Sequence, residues 1–117
     1  MSKKIEDLTP DTQAKFKQFD EAMKAAGIDY VVTCTLRTQA EQDALYAQGR
    51  TAPGKVVTWT RKSKHIGGTA FDIAIKKNGE ISWNAADYEA AGKIGESVGL
   101  VWGGSWDKPD NPHFQLA

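Results

Sequence analysis

The sequence is poor in cysteine and histidine, and it carries no net charge. Cys34 is its single cysteine, it has two histidines, and 15 basic residues balance 15 acidic ones among 117 residues. A lone cysteine excludes a disulfide bond within the chain. Zero net charge removes the general electrostatic argument for nucleic acid as a partner, and we expect no nucleic-acid binding.

Long hydrophobic runs are also missing. No stretch of about 18 consecutive apolar residues, the length that a membrane-spanning helix needs, is present. The first residues, MSKKIEDLTPD, contain no apolar core like that of a secretory signal. We therefore expect no stable membrane insertion, and we expect the protein to remain in the cytoplasm in which it is made.

Capping residues predict where the helices begin. Thr9-Pro10, the capping box formed by Thr38 and Glu41, and Asn84 each have the chemistry of a helix start. Apolar residues at helical spacing follow the first two of these signals, and glycines stand where each helix should stop. We expect helices that end near residues 27, 49 and 98.

Apolar and β-branched runs predict strands at 30–36, 69–76 and 80–83 and a short HFQL strand near the C-terminal end. Asn78-Gly79, between the second and third of these strands, is typical of a two-residue hairpin. Cys34 lies in the first strand and is expected to be a small core residue. This mixture predicts an α+β class: one small domain, residues 1–117, with an antiparallel sheet flanked by helices.

The segment from residue 50 to residue 64 shows neither helical nor strand periodicity and is expected to be a long loop. Long loops in compact domains are usually functional or mobile, although an ordinary solvated loop is the alternative. Arg37 lies at the predicted junction of the first strand and the second helix, a common place for a functional side chain. The loop contains no acidic residue and five basic ones: Arg50, Lys55, Arg61, Lys62 and Lys64.

Both histidines of the chain have a carboxylate nearby in the sequence. His65 precedes Asp72 by seven residues, and His113 follows Asp110 by three. A catalytic zinc ion takes three ligands from His, Asp, Glu or Cys and leaves its fourth position to water. His65, Asp72 and His113 supply that number, and Asp110 is then available as a general base. Taken singly, either histidine is more often a core or surface residue than a ligand.

Two motifs give the chain a family resemblance. S-x-H-x-x-G-x-A-x-D over residues 63–72, followed by D-x-x-H over 110–113, resembles the zinc motif of the D-alanyl-D-alanine carboxypeptidase and L-alanyl-D-glutamate endopeptidase family. LRTQAEQDALYAQGRT upstream, and WGG and PHFQ downstream, are similar to the phage endolysin branch of that family. The resemblance covers roughly residues 28 to 117 and implies the fold shared by the hedgehog and D,D-peptidase group.

The resemblance also implies roles for individual residues. Asp110 would be the catalytic base, and Arg37 would bind the scissile carbonyl or a substrate carboxylate, a role that suits a fixed guanidinium. Ser63 would either hydrogen-bond the substrate or satisfy the local backbone. The implied cofactor is Zn²⁺, with three ligands: His65, Asp72 and His113.

The function implied is hydrolysis of the L-alanyl-D-glutamate bond in the stem peptide of bacterial peptidoglycan. We expect a monomeric phage endolysin without a separate cell-wall-binding domain, held in the host cytoplasm until it is released to the wall. Two alternatives stay open. One is a D-alanyl-D-alanine carboxypeptidase or dipeptidase with the same zinc site, and the other is a non-catalytic module that only binds the cell wall.

Overall fold

The computed structural model describes residues 1–117 and contains three α-helices and five strands. The helices are α1 (Pro10–Ala25), α2 (Gln39–Ala47) and α3 (Ala85–Ser97). The strands are β1 (Tyr30–Cys34), β2 (Ala70–Lys77), β3 (Glu80–Ser82), β4 (Leu100–Trp102) and β5 (His113–Leu116). No helix is long and apolar enough to cross a bilayer. The predicted α+β class is confirmed.

The sheet is antiparallel throughout, and β2 is its central strand. The strand order is β1-β2-β5-β4, and β3 also pairs with β2. In this register Asp72 of β2 lies opposite Cys34 of β1 on one side and opposite His113 of β5 on the other. Cys34 and His113, which are far apart in the sequence, are thereby placed beside the Asp72 carboxylate.

The helix starts are those that the capping residues predict. The Thr9 side chain accepts a hydrogen bond from the Thr12 N–H, and Thr38 and Glu41 form a complete capping box. The Asn84 side chain accepts a hydrogen bond from the Ala86 N–H at the start of α3. Each cap satisfies a backbone donor that the first helical turn leaves without a partner.

The first strand is shorter than the predicted range 30–36. Its register with β2 shifts between Val32 and Cys34. The next two residues pair instead with the N-terminal segment: the Thr35 N–H donates to the Ser2 carbonyl, and the Ser2 N–H donates to the Leu36 carbonyl, both at 2.8 Å. The third strand likewise ends at Ser82, one residue before the end of the predicted range 80–83.

The core lies between the sheet and the helices α1 and α3. Phe19, Phe71 and Phe114 are fully buried and contact one another through their rings. Helix α3 presents small residues to the sheet, because a Cβ on Gly92 would lie 2.2 Å from the Trp102 ring and one on Gly95 would lie 2.5 Å from Phe114. This close packing fixes β4 and β5 against the helix.

Candidate metal centre and catalytic cleft

Three of the predicted site residues meet at the centre of the sheet. The Oδ1 atom of Asp72 lies 3.1 Å from Nε2 of His65 and 3.1 Å from Nδ1 of His113. Both imidazole rings are buried, and their centroids are 5.1 Å apart. Asp72 and His113 are brought together by the pairing of β2 with β5, and His65 lies in the turn that leads into β2.

The second nitrogen of each ring has its own partner. His65 Nδ1 donates to the Thr35 carbonyl oxygen at 2.8 Å, and His113 Nε2 lies 2.9 Å from Gln115 Oε1. These contacts orient the rings so that His65 Nε2 and His113 Nδ1 point to the Asp72 carboxylate. Metal-binding histidines are typically held in this way by an outer acceptor.

The donor set fits a divalent metal ion. Lone pairs on two imidazole nitrogens and a carboxylate oxygen repel at this distance, so each contact needs either a proton or a metal ion between its two atoms. Two histidines and one carboxylate, with a cleft above them, form the kind of three-ligand set that a catalytic zinc ion uses. We infer that His65, Asp72 and His113 would hold the ion.

Cys34 is an alternative donor near the same centre, since ligand atoms of Cys34, His65 and Asp72 all lie within 4.8 Å of one another. Its Sγ atom, however, lies 3.7 Å from Nδ1 of His65, the nitrogen that already binds the Thr35 carbonyl. Cys34 is buried and does not line the cleft. The geometry therefore favours its predicted place as a small core residue, behind the His65 ring.

A cleft of about 500 Å³ opens at this side of the sheet, and His65, Asp72 and His113 line it. The loop that was predicted between residues 50 and 64 provides one wall, and the segment that precedes β5 provides another through Trp106 and Asp110. Cationic side chains also line this cleft: Arg37, Lys62 and Lys64.

Asp110 is held in the cleft by a tight turn. Its N–H donates to the Gly103 carbonyl at 2.9 Å, and its own carbonyl accepts from the His113 N–H at 3.1 Å. A Cβ on Gly103 would lie 2.5 Å from the Asp110 carbonyl oxygen, so only glycine allows this approach. The turn thus fixes Asp110 relative to His113.

The charges of the site shift several pKa values. Burial alone would lower the pKa of His65, but the Asp72 carboxylate and the Cys34 sulfur raise it to about 10. Burial would raise the pKa of Asp72, but His113 and His65 hold it well below its usual range. The pKa of Asp110 is raised by partial desolvation and by the charge of Asp72, against the opposing effects of nearby cations. A raised pKa makes Asp110 a stronger base.

Metal affinity should therefore depend steeply on pH. A proton on His65 Nε2 competes with a metal ion, and the pKa of about 10 means that His65 carries this proton at neutral pH. Binding then displaces one proton, so the apparent affinity should rise about tenfold between pH 7 and pH 8. Competition titration with a chromophoric chelator, corrected for the chelator's own protonation, measures this slope. An affinity that does not change with pH would contradict the coupling.

Arg37 and Ser63 lie close to the metal-binding residues. The Arg37 side chain lines the cleft, and the backbone N–H of Arg37 donates to the His65 carbonyl at 3.0 Å. Ser63 Oγ accepts a hydrogen bond from the His65 N–H at 3.2 Å, so this hydroxyl satisfies the local backbone while it lines the cleft. All six predicted site residues are thus brought together around one cleft.

Gln42 is a residue that sequence reasoning missed. It lies on α2, is fully buried, and its Oε1 accepts a hydrogen bond from Arg37 Nη1 at 2.7 Å. Its Nε2 donates to the Thr60 carbonyl at 2.6 Å. One buried amide therefore holds both the guanidinium and the loop that walls the cleft. No sequence motif distinguishes it from a solvated glutamine on a helix.

Replacing Gln42 with Leu should lower both stability and kcat/KM. The change removes one donor to the Thr60 carbonyl and the acceptor of Arg37 Nη1, which should cost about 1–3 kcal/mol of unfolding free energy. We expect the kinetic loss to be non-additive with that of Arg37→Ala, because Gln42 acts through Arg37. A double-mutant cycle measured by kcat/KM checks this, and strictly additive losses would show that Gln42 only supports the fold.

The N-terminal segment also reaches the cleft. Met1 lines it, the Met1 Sδ atom lies 3.1 Å from Arg37 Nε, and the N-terminal ammonium pairs with the Glu41 carboxylate. Together with the Ser2 backbone pairing described above, these contacts attach the first residues to the edge of the site.

Comparison with known proteins identifies the family. The D-alanyl-D-alanine carboxypeptidase family matches residues 57–116, a segment that contains the three metal-binding candidates and Asp110. The peptidoglycan L-alanyl-D-glutamate endopeptidase CwlK of Bacillus subtilis (strain 168) is 39% identical over 117 residues, covering 86% of this chain and 70% of CwlK. The L-alanyl-D-glutamate peptidase of Listeria phage A118 is 28% identical over 116 residues, covering 96% of this chain but 39% of the phage protein.

Solved structures share the fold. The L-Ala D-Glu endopeptidase ChiX of Serratia marcescens superimposes with a TM-score of 0.78 at 23% identity, over 97% of this chain and 83% of ChiX. The LD-carboxypeptidase LdcB superimposes with a TM-score of 0.73 at 17% identity, over 93% of this chain and 58% of LdcB. With the family match and the CwlK identity, the chain is a member of the D-alanyl-D-alanine carboxypeptidase family, and it is a metallopeptidase.

Proposed function

We propose that this protein is a zinc-dependent peptidoglycan hydrolase that cleaves the L-alanyl-D-glutamate bond of the stem peptide. The observation that carries the proposal is the meeting of His65, Asp72 and His113 at the floor of a cleft that Asp110 also lines. The choice of bond is supported by CwlK and the phage A118 peptidase, whose names describe that activity.

The charge of the cleft suits this substrate. Stem peptides carry free carboxylates, and Arg37, Lys62 and Lys64 line the same cleft as the metal-binding residues. Cations in a partly enclosed cleft attract carboxylates and orient them. The D-glutamyl side of the scissile bond is therefore proposed to lie towards these three side chains.

The mechanism is hydrolysis of an amide. Zinc, when bound by His65, Asp72 and His113, supplies Lewis acidity towards the scissile carbonyl and lowers the pKa of a water molecule. Asp110 accepts the proton of the attacking water and donates it to the departing amine. Arg37 stabilises the negative charge that develops on the carbonyl oxygen. The outer contacts of the two histidines keep their rings in position throughout.

A D-alanyl-D-alanine carboxypeptidase or dipeptidase is the second candidate, favoured by the description of the matching family. The two activities give different products. An endopeptidase releases a new D-glutamyl amino terminus, whereas a carboxypeptidase releases free D-alanine. A non-catalytic wall-binding module would release neither, and the presence of Asp110 beside the metal-binding residues speaks against it.

Mass spectrometry of the fragments released from purified sacculi tests the proposal. The zinc-loaded protein should generate D-glutamyl amino termini, and an EDTA-treated sample should not. Release of free D-alanine would show instead that the protein is a carboxypeptidase. Binding to sacculi without release of any fragment would favour the non-catalytic module.

The biological setting is proposed as well: a monomeric phage or prophage endolysin, one catalytic domain over residues 1–117, held in the host cytoplasm until it reaches the wall. The phage A118 relative supports this role. Expression in a bacterial cytoplasm should leave cells intact until their membrane is permeabilised, and lysis should then follow within minutes. Lysis without permeabilisation would contradict it.

A further inference from the structure

A second cleft adjoins the catalytic one. It has a volume of about 510 Å³ and lies between residues 57–60 and residues 106–110. The two clefts share part of their lining: Val57, Thr58, Thr60, Trp106 and Asp110. The Trp106 ring is also 5.2 Å from the His113 ring, so the shared wall is close to the proposed metal centre.

The second cleft adds the exposed ring of Trp59 to the apolar side chains that both clefts share. Trp59, Val57 and Trp106 are exposed by 65%, 55% and 40%. Lys108 Nζ lies 3.8 Å from the centroid of the Trp59 ring, a cation–π contact that joins the two loops across the cleft. None of the cations Arg37, Lys62 and Lys64 lines this second cleft, and its charged lining residues are Asp107, Lys108 and Asp110. Exposed aromatic rings grouped beside a catalytic site are typical of a ligand-binding groove.

The proposed substrate has a part that matches this surface. In peptidoglycan the L-alanyl residue is joined through a lactyl group to N-acetylmuramic acid. Since each chain unit spans at most about 3.6 Å, the sugar begins within roughly 7 Å of the scissile bond. The sugar ring is uncharged and presents C–H groups that pack on aromatic faces, and its hydroxyl and acetamido groups can accept hydrogen bonds from Lys108.

We propose that the cleft between residues 57–60 and 106–110 binds the N-acetylmuramyl sugar that carries the stem peptide, with Trp59 as its main stacking surface. This assignment rests on the proposed function. It also fixes how the substrate lies: the carboxylates of the stem peptide lie in the catalytic cleft, and the glycan lies in the second cleft.

The test compares two substrates that have the same scissile bond. One is the stem peptide still joined to its disaccharide, prepared from sacculi with a muramidase, and the other is the same peptide freed from the sugar by an amidase. The wild-type protein should show the lower KM for the disaccharide-linked peptide. Trp59→Ala should raise that KM roughly five- to tenfold and leave the KM of the free peptide unchanged. Trp59→Tyr keeps an aromatic face and should therefore retain most of the difference in KM between the two substrates.

Trp83→Ala is the matched control, because Trp83 is 66% exposed and stacks on Tyr88, away from both clefts. It should change neither KM. Equal KM values for the two substrates in the wild type, or an equal rise for both in Trp59→Ala, would overturn the sugar site and leave the proposed function intact. Failure of the wild type to cleave the L-alanyl-D-glutamate bond in either substrate would overturn the proposed function itself.

Discussion

Asp110→Asn is expected to lower kcat by about 10²–10⁴-fold while the protein still binds one metal ion. The amide has nearly the shape of the carboxylate, so the turn that joins Gly103, Asp110 and His113 through backbone hydrogen bonds should persist. What the variant loses is the ability to accept a proton from water. Kinetics on a stem peptide, together with metal content by atomic emission, measures both quantities.

Asp29→Asn is a suitable control for this change. Asp29 is exposed and lies outside the catalytic cleft, so its replacement removes the same charge without touching the site. It should leave kcat within about twofold of the wild-type value. A near-normal kcat in Asp110→Asn would remove Asp110 as the base, and loss of the metal in that variant would show a structural role instead.

His113→Ala is expected to lose both the metal and the hydrolytic activity. Removal of one of three ligands leaves Asp72 with a single histidine partner. The metal affinity should fall by more than about 100-fold, since even the loss of an outer partner of a ligand costs about 10–100-fold. Equilibrium dialysis against zinc gives the stoichiometry, and circular dichroism in the presence of EDTA shows whether the variant remains folded.

Cys34→Ala separates the two possible donor sets. If the ion is held by His65, Asp72 and His113, the Cys34 variant keeps one metal ion and its activity, with a modest loss of stability from the small cavity. If Cys34 is a ligand, its replacement removes the metal and the His113 variant retains it. The two variants therefore give opposite results under the two hypotheses.

The helix starts were predictable because their causes are local. Thr9, Thr38 and Asn84 each cap a helix through atoms within three residues of the cap, so the sequence alone contains the whole interaction. The first strand was predicted too long for the opposite reason. Thr35 and Leu36, the last two residues of the predicted range, pair with Ser2 instead, a contact that no local pattern reveals.

The site depends on contacts between distant parts of the chain. Asp72 and His113 are 41 residues apart and meet only because β5 returns to pair with β2 after α3. The number and type of ligands that zinc needs suggested that these residues meet, and the family motif supported it, but neither shows which strands pair. Gln42 and the second cleft have no such motif. A loop without periodicity gives no indication of the surface that it forms. Their positions therefore became known only from the structure.

The attachment of Ser2 to the end of β1 has a practical consequence for protein engineering. Any residues fused ahead of Met1 would emerge at the mouth of the catalytic cleft, where Met1 lies against Arg37. Strand β5 runs away from His113, so Ala117 is about 14 Å further along the chain. Purification tags, reporter domains and wall-targeting modules are thus best joined at the C-terminal end, which leaves the entrance for the substrate clear.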